Sequence, residues 1–238
     1  MIGLGTIANA SAIVAGGLLG IVLKKALSER IQDTVMKATG ICVMFIGIGG
    51  TMQEMLSLAE EGLISGGSMM MIFSFVLGAL SGEAIDIEKQ LERFGSWLRR
   101  VSRSEGDSLF LDGFITASLT VCIGAMAVVG AIEDGLSGDY SLLLAKSVLD
   151  FIIIMIMSAS MGRGCLFSAV PVAVLQGSIT LLAGFIQPLM TKQAISNLSM
   201  TGSMLIFCVG LNLVWGKKIR VANLMPTIIF AVIWALVF

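Results

Sequence analysis

Lys146 and Asp150 are charged residues within an apolar segment of this sequence, where they could carry out chemistry. They are four residues apart, so they share one face of a helix and can form an ion pair. A charge at the centre of a bilayer costs about 2.5–3.5 kcal/mol on insertion scales, so such residues mark functional sites. We therefore predict that Asp150 binds a cation or a proton and that Lys146 is the partner that tunes this binding. A structural ion pair between packed helices is the alternative.

Three carboxylates precede this pair in the sequence and follow a stretch rich in small residues: Glu133, Asp134 and Asp139. They predict an acidic mouth that attracts cations, although a solvated acidic loop would have the same composition. Their spacing does not match a calcium-binding loop.

Three amides lie inside long apolar segments: Asn9, Gln176 and Asn212. At membrane depth an amide can bind an ion through its carbonyl oxygen, or it can form hydrogen bonds between helices. Together with Asp150 and Lys146, these amides are the predicted lining of a pathway for a small ion or solute.

The residue types exclude several classes of enzyme. The chain contains no histidine, which removes triads that need imidazole, zinc sites completed by histidine and haem bound through histidine. Its cysteines lie singly in apolar runs and are expected to be small buried hydrophobes: Cys42, Cys122, Cys165 and Cys208. Gly138 and Asp139 resemble the end of the G-x-G-D motif of intramembrane proteases, but Leu136 occupies the place of its first glycine. We predict no catalytic residue and no cofactor, and the sequence identifies no metal.

The composition is that of a membrane protein. Of the 238 residues, 56% are hydrophobic and 13% are charged, and the mean hydropathy is +0.97. A soluble domain carries roughly a quarter charged residues, so this chain could not cover a water-facing surface. Its 28 glycines favour helices that pack backbone to backbone, as membrane helices do. The net charge of -1 gives no sign of nucleic-acid binding.

Apolar stretches of about 20 residues, the length that crosses a bilayer, predict eight membrane helices, with seven as the fallback. The predicted spans are residues 3–23, 38–58, 63–82, 112–132, 141–162, 164–187, 196–216 and 219–238. The predicted fold class is therefore all-α, a polytopic bundle of transmembrane helices. The apolar N-terminal segment is interpreted as the first helix and not as a signal peptide.

The distribution of charges predicts the orientation, because lysine and arginine are enriched in cytoplasmic connections. Most basic residues follow the first, third, fifth and seventh spans: Lys24, Lys25, Arg30, Lys37, Lys89, Arg93, Arg99, Arg100, Arg103, Arg163, Lys217, Lys218 and Arg220. Acidic residues prevail in the alternate connections, with Glu54, Glu60 and Glu61 near the second of them. Both termini are therefore predicted to lie outside.

Residues 86–101 predict an amphipathic helix, because apolar residues recur there at steps of three and four. This helix is expected to lie at the cytoplasmic interface or to pack against partner helices. We treat residues 1–238 as a single membrane domain. Within it, residues 1–85 carry the first three helices, 86–108 the amphipathic helix and a linker, and 109–238 the remaining helices.

Two segments of the sequence are similar to each other. Residues 28–48 align with residues 190–210, matching Thr39-Gly40 to Thr201-Gly202 and Phe45 to Phe207. In the predicted topology the two segments enter the membrane from opposite sides, which indicates an inverted repeat. Chance similarity between helices rich in small residues is the alternative.

Four segments carry a resemblance to a known family: GTIANASAIVAGGLLG, GAMAVVGAIEDGLSGDYSLLLAKSVLD, AVPVAVLQGSITLLA and VGLNLVWGKKIRVANLMP. Over nearly its whole length the chain resembles the bacterial YdfK/YqgA-like membrane proteins, known as domain of unknown function 554. The resemblance implies a multi-pass protein of the bacterial cytoplasmic (inner) membrane whose activity is unassigned. It implies no catalytic residues.

The sequence favours a transporter of a small ion or solute over an enzyme. A membrane-embedded enzyme is one alternative, and a scaffold or regulatory subunit that docks through residues 86–101 is another. The expected partners are the lipid bilayer and the small ion or solute, with no nucleic acid. Assembly into a homo-oligomer is compatible with the sequence.

Overall fold

The computed structural model describes residues 2–59 and 62–238, so Glu60 and Glu61 of the predicted acidic connection lie outside the described residues. The α-helices are α1 (Leu4–Ala26), α2 (Glu29–Met55), α3 (Ser68–Ile85), α4 (Ile87–Val101), α5 (Phe110–Cys122), α6 (Ala125–Ser137), α7 (Ser141–Met161), α8 (Ala169–Leu181), α9 (Ala183–Ile186), α10 (Lys192–Trp215), α11 (Val221–Leu224) and α12 (Thr227–Val237). Short 3₁₀ helices cover Arg163–Ser168 and Gln187–Leu189. Strands β1 (Leu56–Ala59) and β2 (Gly62–Ser65) form an antiparallel hairpin.

The predicted all-helical, polytopic membrane fold is confirmed. Among the described residues, six helices are long and apolar enough to cross a membrane, and a seventh span results if the bent pair α5 and α6 is counted as one. The eighth predicted span corresponds to the shorter apolar segment Val221–Val237. Pro226 stands at the start of α12 and separates it from α11, because proline cannot continue a helical hydrogen-bond ladder.

Several boundaries differ from the predicted spans: the fourth span, 112–132, is divided into α5 and α6, and the second and third helices begin at other residues. The second helix begins at Glu29 and not at residue 38, because the charges of its first turns are exposed and do not interrupt a helix. The third begins at Ser68 and not at residue 63, because β2 occupies residues 62–65. The predicted spans 38–58 and 63–82 included residues of this hairpin, whose second strand is exposed.

The long helices pack in pairs through glycines. Along α1, Gly5 lies against Leu143 and Gly20 against Met155, so α1 runs parallel to α7. Helix α10 runs antiparallel to α2, where a Cβ atom on Gly47 would come within 2.6 Å of the Phe207 backbone nitrogen. These approaches are typical of membrane helices, in which small residues let backbones meet.

The two similar segments fall on α2 and α10, so they lie side by side and run in opposite directions. An inverted repeat would produce this arrangement. The repeat itself stays a prediction.

Helix α5 lies at the centre of the bundle. Nine of its 13 residues are buried, including Phe110 and Phe114, which are fully inaccessible. The amphipathic helix α4 packs on α5, with Gly95 beside Phe114 and Leu98 buried. Part of its apolar face therefore covers the bundle, while Trp97 is 54% exposed. Val121, in the last turn of α5, is 0% exposed, so this part of α5 lies inside the protein.

The two ends of the bundle are named here by charged residues that they hold. One end, called here the basic end, holds Lys24, Lys37 and Lys217, which line the same cavity. The opposite end, called the acidic end, holds Asp134 beside the start of α1, and Glu54 beside Ser196 at the start of α10. Four acidic residues, Glu29, Asp33, Glu88 and Asp112, line the same cavity, so the basic end carries charges of both signs. The orientation of the protein in the membrane stays a prediction.

Candidate functional site

Helix α7 carries an ion pair into the interior of the bundle. Lys146 Nζ lies 2.5 Å from Asp150 Oδ2, one helical turn away, as expected from their spacing. Lys146 is 7% exposed and Asp150 is 3% exposed. A buried pair of this kind needs further hydrogen bonds, because desolvation of the two charges offsets their attraction.

A break between α5 and α6 supplies one of these hydrogen bonds. The two helices meet at 62°, and Gly124 between them has φ 137° and ψ 149°, a conformation open mainly to glycine. The last carbonyl groups of a helix lack partners within it. Lys146 Nζ donates to one of them, the carbonyl of Val121, at 2.9 Å. The ammonium group therefore joins the ion pair to the end of α5.

Two amides complete the group. Asn9 on α1 donates from Nδ2 to Gln176 Oε1 on α8 at 3.3 Å, and both residues are fully buried. Asn9 also lies beside the Asp150 carboxylate. We call Asn9, Lys146, Asp150, Gln176 and the Val121 carbonyl the buried polar cluster.

Four of the five side chains of the predicted pathway therefore meet in the buried polar cluster. The fifth, Asn212, lies elsewhere, near the basic end. Its Nδ2 donates to the Ile219 carbonyl at 2.7 Å, and its Oδ1 accepts from the backbone N–H groups of Lys218 and Ile219. Asn212 thus fixes the connection between α10 and α11, and it also lines the cavity at that end.

The three carboxylates of the predicted mouth have separate surroundings. Asp134 is fully buried and accepts from the backbone N–H groups of Gly3 and Gly5, each at 3.1 Å, so it holds the start of α1. Asp139 is exposed, and hydrogen bonds from Ser141 hold its pKa below the ordinary value. Glu133 is exposed on α6. A cation-attracting mouth at this end stays a prediction.

A cavity of about 600 Å³ lies at the basic end, a size typical of small-molecule sites. Its walls come mainly from α2, α5, α7 and α10, with single residues from α1, α4 and α11. Charged residues such as Lys24 and Asp112 line it together with apolar residues such as Leu119 and Val209. Leu119 precedes Val121 by two residues on α5, so the cavity reaches close to the break.

An ion-pair network stands beside this cavity and ties α4 to the bundle. Lys217 Nζ lies 2.6 Å from Glu88 Oε1 and 2.9 Å from Glu92 Oε1. The side chain of Glu88 is buried, whereas Lys217 and Glu92 are nearly half exposed. Partial burial lowers the pKa of Lys217, but its hydrogen bonds to Glu88 and Glu92 outweigh this effect and raise the pKa above its ordinary value.

The chemistry open to the buried polar cluster follows from its groups. Asp150 can accept a proton or a small cation, and Lys146 already occupies the position that a cation would take. Within the ranges 2–59 and 62–238, no group of three or more Cys, Asp and Glu residues is placed to hold a metal ion. The arrangement suits exchange of a single charge at Asp150.

Sequence reasoning missed the Val121 carbonyl, because a backbone group has no signature of its own. The available signal was Gly124, a glycine inside a long apolar run, which often marks a local break.

Comparisons with known proteins identify a family and leave the chemistry open. The family model described as "Protein of unknown function (DUF554)" matches residues 4–236. The Bacillus subtilis (strain 168) protein named "Uncharacterized membrane protein YdfK" is 30% identical over 225 residues, which cover 94% of this chain and 92% of the relative. The Escherichia coli (strain K12) "Uncharacterized protein YqgA" is 28% identical over 232 residues, 96% of this chain and 94% of the relative. No solved structure matches.

Proposed function

Since the chain belongs to the DUF554 family of proteins of unknown function, we propose its activity from the site: it moves a small ion or solute across the bacterial inner membrane. The observation that carries this proposal is the buried Lys146–Asp150 pair, bonded to the Val121 carbonyl where α5 is broken.

The energetic cost of the pair favours a functional role. Replacing a buried ion pair by well-packed apolar residues is often neutral or stabilising, so such a pair is weak support for a stabilising role. In membranes, charged residues inside a bundle mark ion or substrate pathways, and they are kept in spite of their cost.

The break between α5 and α6 supports the same function. Backbone that leaves the helical pattern at membrane depth is tolerated where it is buried in protein or lines a water-filled cavity. In many transporters, discontinuous helices form the substrate site near the middle of the bilayer. Here the break directly follows α5, in which nine of 13 residues are buried, and the carbonyl that binds Lys146 belongs to the last turn of α5.

The proposed mechanism is an exchange of partners at Asp150. A cation or a proton that binds to Asp150 neutralises the carboxylate and releases Lys146. Because Lys146 also holds the Val121 carbonyl, its release frees the junction of α5 and α6 to move. Binding at one residue is thereby coupled to a change in helix geometry.

The cavity at the basic end is the proposed access route on that side. By the positive-inside rule the basic end faces the cytoplasm, and both termini then lie outside. The cavity is lined by charged residues such as Lys24 and Asp112 and by apolar residues such as Leu119. It would admit a solute from the cytoplasm to the region just below the buried polar cluster.

Flux into proteoliposomes tests this proposal, scanning monovalent cations, divalent cations and small anions. Asp150→Asn is expected to abolish flux and Lys146→Met to uncouple or abolish it, in protein that elutes as a folded species. Glu83→Gln is the matched control, because it breaks an exposed ion pair with Arg220 that the proposed pathway does not use.

Absence of flux for every solute tested would contradict the proposal and favour the enzyme or scaffold alternatives. Flux that persists in the Asp150→Asn variant would mean that the pathway does not pass through the buried polar cluster.

A further inference from the structure

Helices α1 and α8 face each other along a polar line that extends beyond the buried polar cluster. Gly17 lies against Leu166, and Asn9 bonds to Gln176, so the two segments run antiparallel. Thr6 is one turn before Asn9 on α1, and Thr180 is one turn after Gln176 on α8. The two threonines therefore lie at the same level, one turn closer to the acidic end.

Each of these four residues has a buried polar atom without a hydrogen-bond partner among the described parts of the chain. The atoms are Thr6 Oγ1, Asn9 Oδ1, Gln176 Nε2 and Thr180 Oγ1. All four residues are at least nine-tenths buried: Asn9 and Gln176 are 0% exposed, Thr180 is 5% and Thr6 is 7% exposed. Their concentration on two facing helices, at two successive turns, indicates a shared ligand.

Buried polar groups in native proteins are almost always satisfied, by protein or by ordered water. The set of atoms identifies which ligand fits. Asn9 Oδ1 accepts a hydrogen bond, Gln176 Nε2 donates one, and a threonine hydroxyl does either. Water can donate and accept and so satisfies all four, whereas a metal cation would be repelled by the Gln176 amide N–H.

We propose that ordered water binds between α1 and α8 at Thr6, Asn9, Gln176 and Thr180 and connects Asp150 with the acidic end. Asn9 lies beside Asp150 at the inner end of this line. At the outer end, the Thr180 backbone lies against Gly135, whose neighbour Asp134 holds the start of α1. The water line thus reaches from the ion pair to a carboxylate at the acidic end.

The line has a consequence that rests on the proposed function. Water between Asp134 and Asp150 would carry protons to and from Asp150 at the acidic end, while the cavity serves the basic end. A proton is then the charge exchanged at Asp150.

Thermal unfolding of the full-length protein in detergent tests the water site by the sign of the change. Thr6→Val and Thr180→Val replace the hydroxyl by a methyl group of nearly the same volume. Removing an oxygen that has no partner at all raises Tm, whereas removing one that binds water lowers it. We expect a fall of about 2–4 °C for each variant. An unchanged or raised Tm in both variants overturns the proposal.

Two further variants control for packing. Thr180→Ser keeps the hydroxyl, so it is expected to lose less than Thr180→Val if water is bound. Ser178 lies on the exposed face of the same helix, and its hydroxyl donates a hydrogen bond to the Val174 carbonyl. The substitution Ser178→Ala is therefore expected to leave Tm unchanged. If Thr180→Ser lowers Tm as much as Thr180→Val does, the fall in Tm comes from packing, and the water site is overturned.

Proton flux in proteoliposomes separates the two parts of the inference. The double variant Thr6→Val/Thr180→Val is expected to reduce proton flux at least tenfold while it leaves the fold intact. A lowered Tm together with unchanged proton flux supports the water site and overturns its role in proton access. A protein without any flux, but with the lowered Tm, contradicts the proposed function and leaves the water site supported.

Discussion

Lys146 Nζ lies 2.9 Å from the carbonyl oxygen of Val121, at the point where α5 ends. One ammonium group therefore satisfies a helix terminus and neutralises Asp150 at the same time. The fold at the break and the charge at the site depend on each other, because removing Lys146 disturbs both.

Lys146→Met is expected to destabilise the protein by about 3–5 kcal/mol, because it leaves Asp150 buried without its counter-charge. The double variant Lys146→Met/Asp150→Asn keeps the interior neutral and is expected to recover most of that loss. Chemical unfolding in detergent, followed by tryptophan fluorescence, measures the free energy of unfolding of both variants. A double variant as unstable as Lys146→Met would show that the Val121 contact, and not the charge balance, dominates.

Gly47→Ala and Gly49→Ala test the contact of α2 with α10. A Cβ atom on Gly47 would lie 2.6 Å from Phe207 N, whereas one on Gly49 would meet nothing within 4 Å. Gly47→Ala is expected to lower Tm, since the backbones must separate. Gly49→Ala is expected to leave Tm unchanged or to raise it slightly, because alanine favours a helix by about 1 kcal/mol over glycine. Equal effects of the two substitutions on Tm would contradict this helix pairing.

Lys217→Met is expected to destabilise the protein by about 1–3 kcal/mol, because Glu88 is left as a buried charge without its partner. Glu92→Gln removes an exposed partner of the same lysine and is expected to cost less than about 1 kcal/mol. Thermal unfolding of the two variants compares them directly. A larger loss for Glu92→Gln would mean that the exposed pair holds α4.

The same network predicts the effect of pH. The pKa of Lys217 is raised in the folded protein, so its contribution to stability is complete below the unfolded value, near 10.4. It is lost as the pH rises through the raised pKa. The difference in Tm between wild type and Lys217→Met is therefore expected to be constant at neutral pH and to shrink only above about pH 10.4. If this difference in Tm shrinks between pH 7 and 9, a titrating group other than Lys217 is responsible for it.

Asp134→Ala is expected to release the start of α1, because the carboxylate accepts the N–H groups of Gly3 and Gly5. Glu133→Ala, next to it and exposed, is the matched control and is expected to have no effect. Amide hydrogen exchange of residues 3–8 measures the difference. Fast exchange in both variants, or in neither, would contradict the role of Asp134.

The candidate site was predictable where it depends on local geometry. The Lys146–Asp150 pair follows from a spacing of four residues on one helix, and the structure forms it. Asn9 and Gln176 are 167 residues apart, so only their polarity at membrane depth marked them, and their contact required the fold. Asn212 has the same signal, yet it binds its own connecting loop. Composition cannot distinguish these two outcomes for an amide.

The fold was predictable where hydropathy decides it. Long apolar runs located most of the spans, because burial in lipid requires them. The start of α2 at Glu29 was missed, since charges exclude a segment from hydrocarbon but do not exclude it from a helix. The 62° bend at Gly124 was missed for a different reason: a glycine in an apolar run can pack closely or break a helix, and tertiary contacts decide between them.

The pairing of α2 with α10 links this protein to the thickness of its bilayer. Helix α2 is about 40 Å long, but its charged first turns end at Lys37, so its apolar part, residues 38–55, is about 27 Å long and close to the roughly 30 Å thickness of the hydrocarbon core. Because Gly47 packs α2 closely against α10, a membrane thinner than this apolar part is expected to tilt the two helices together. Lipid acyl-chain length is thus a physical control on the angle of this pair, and through α10 on the cavity that it lines.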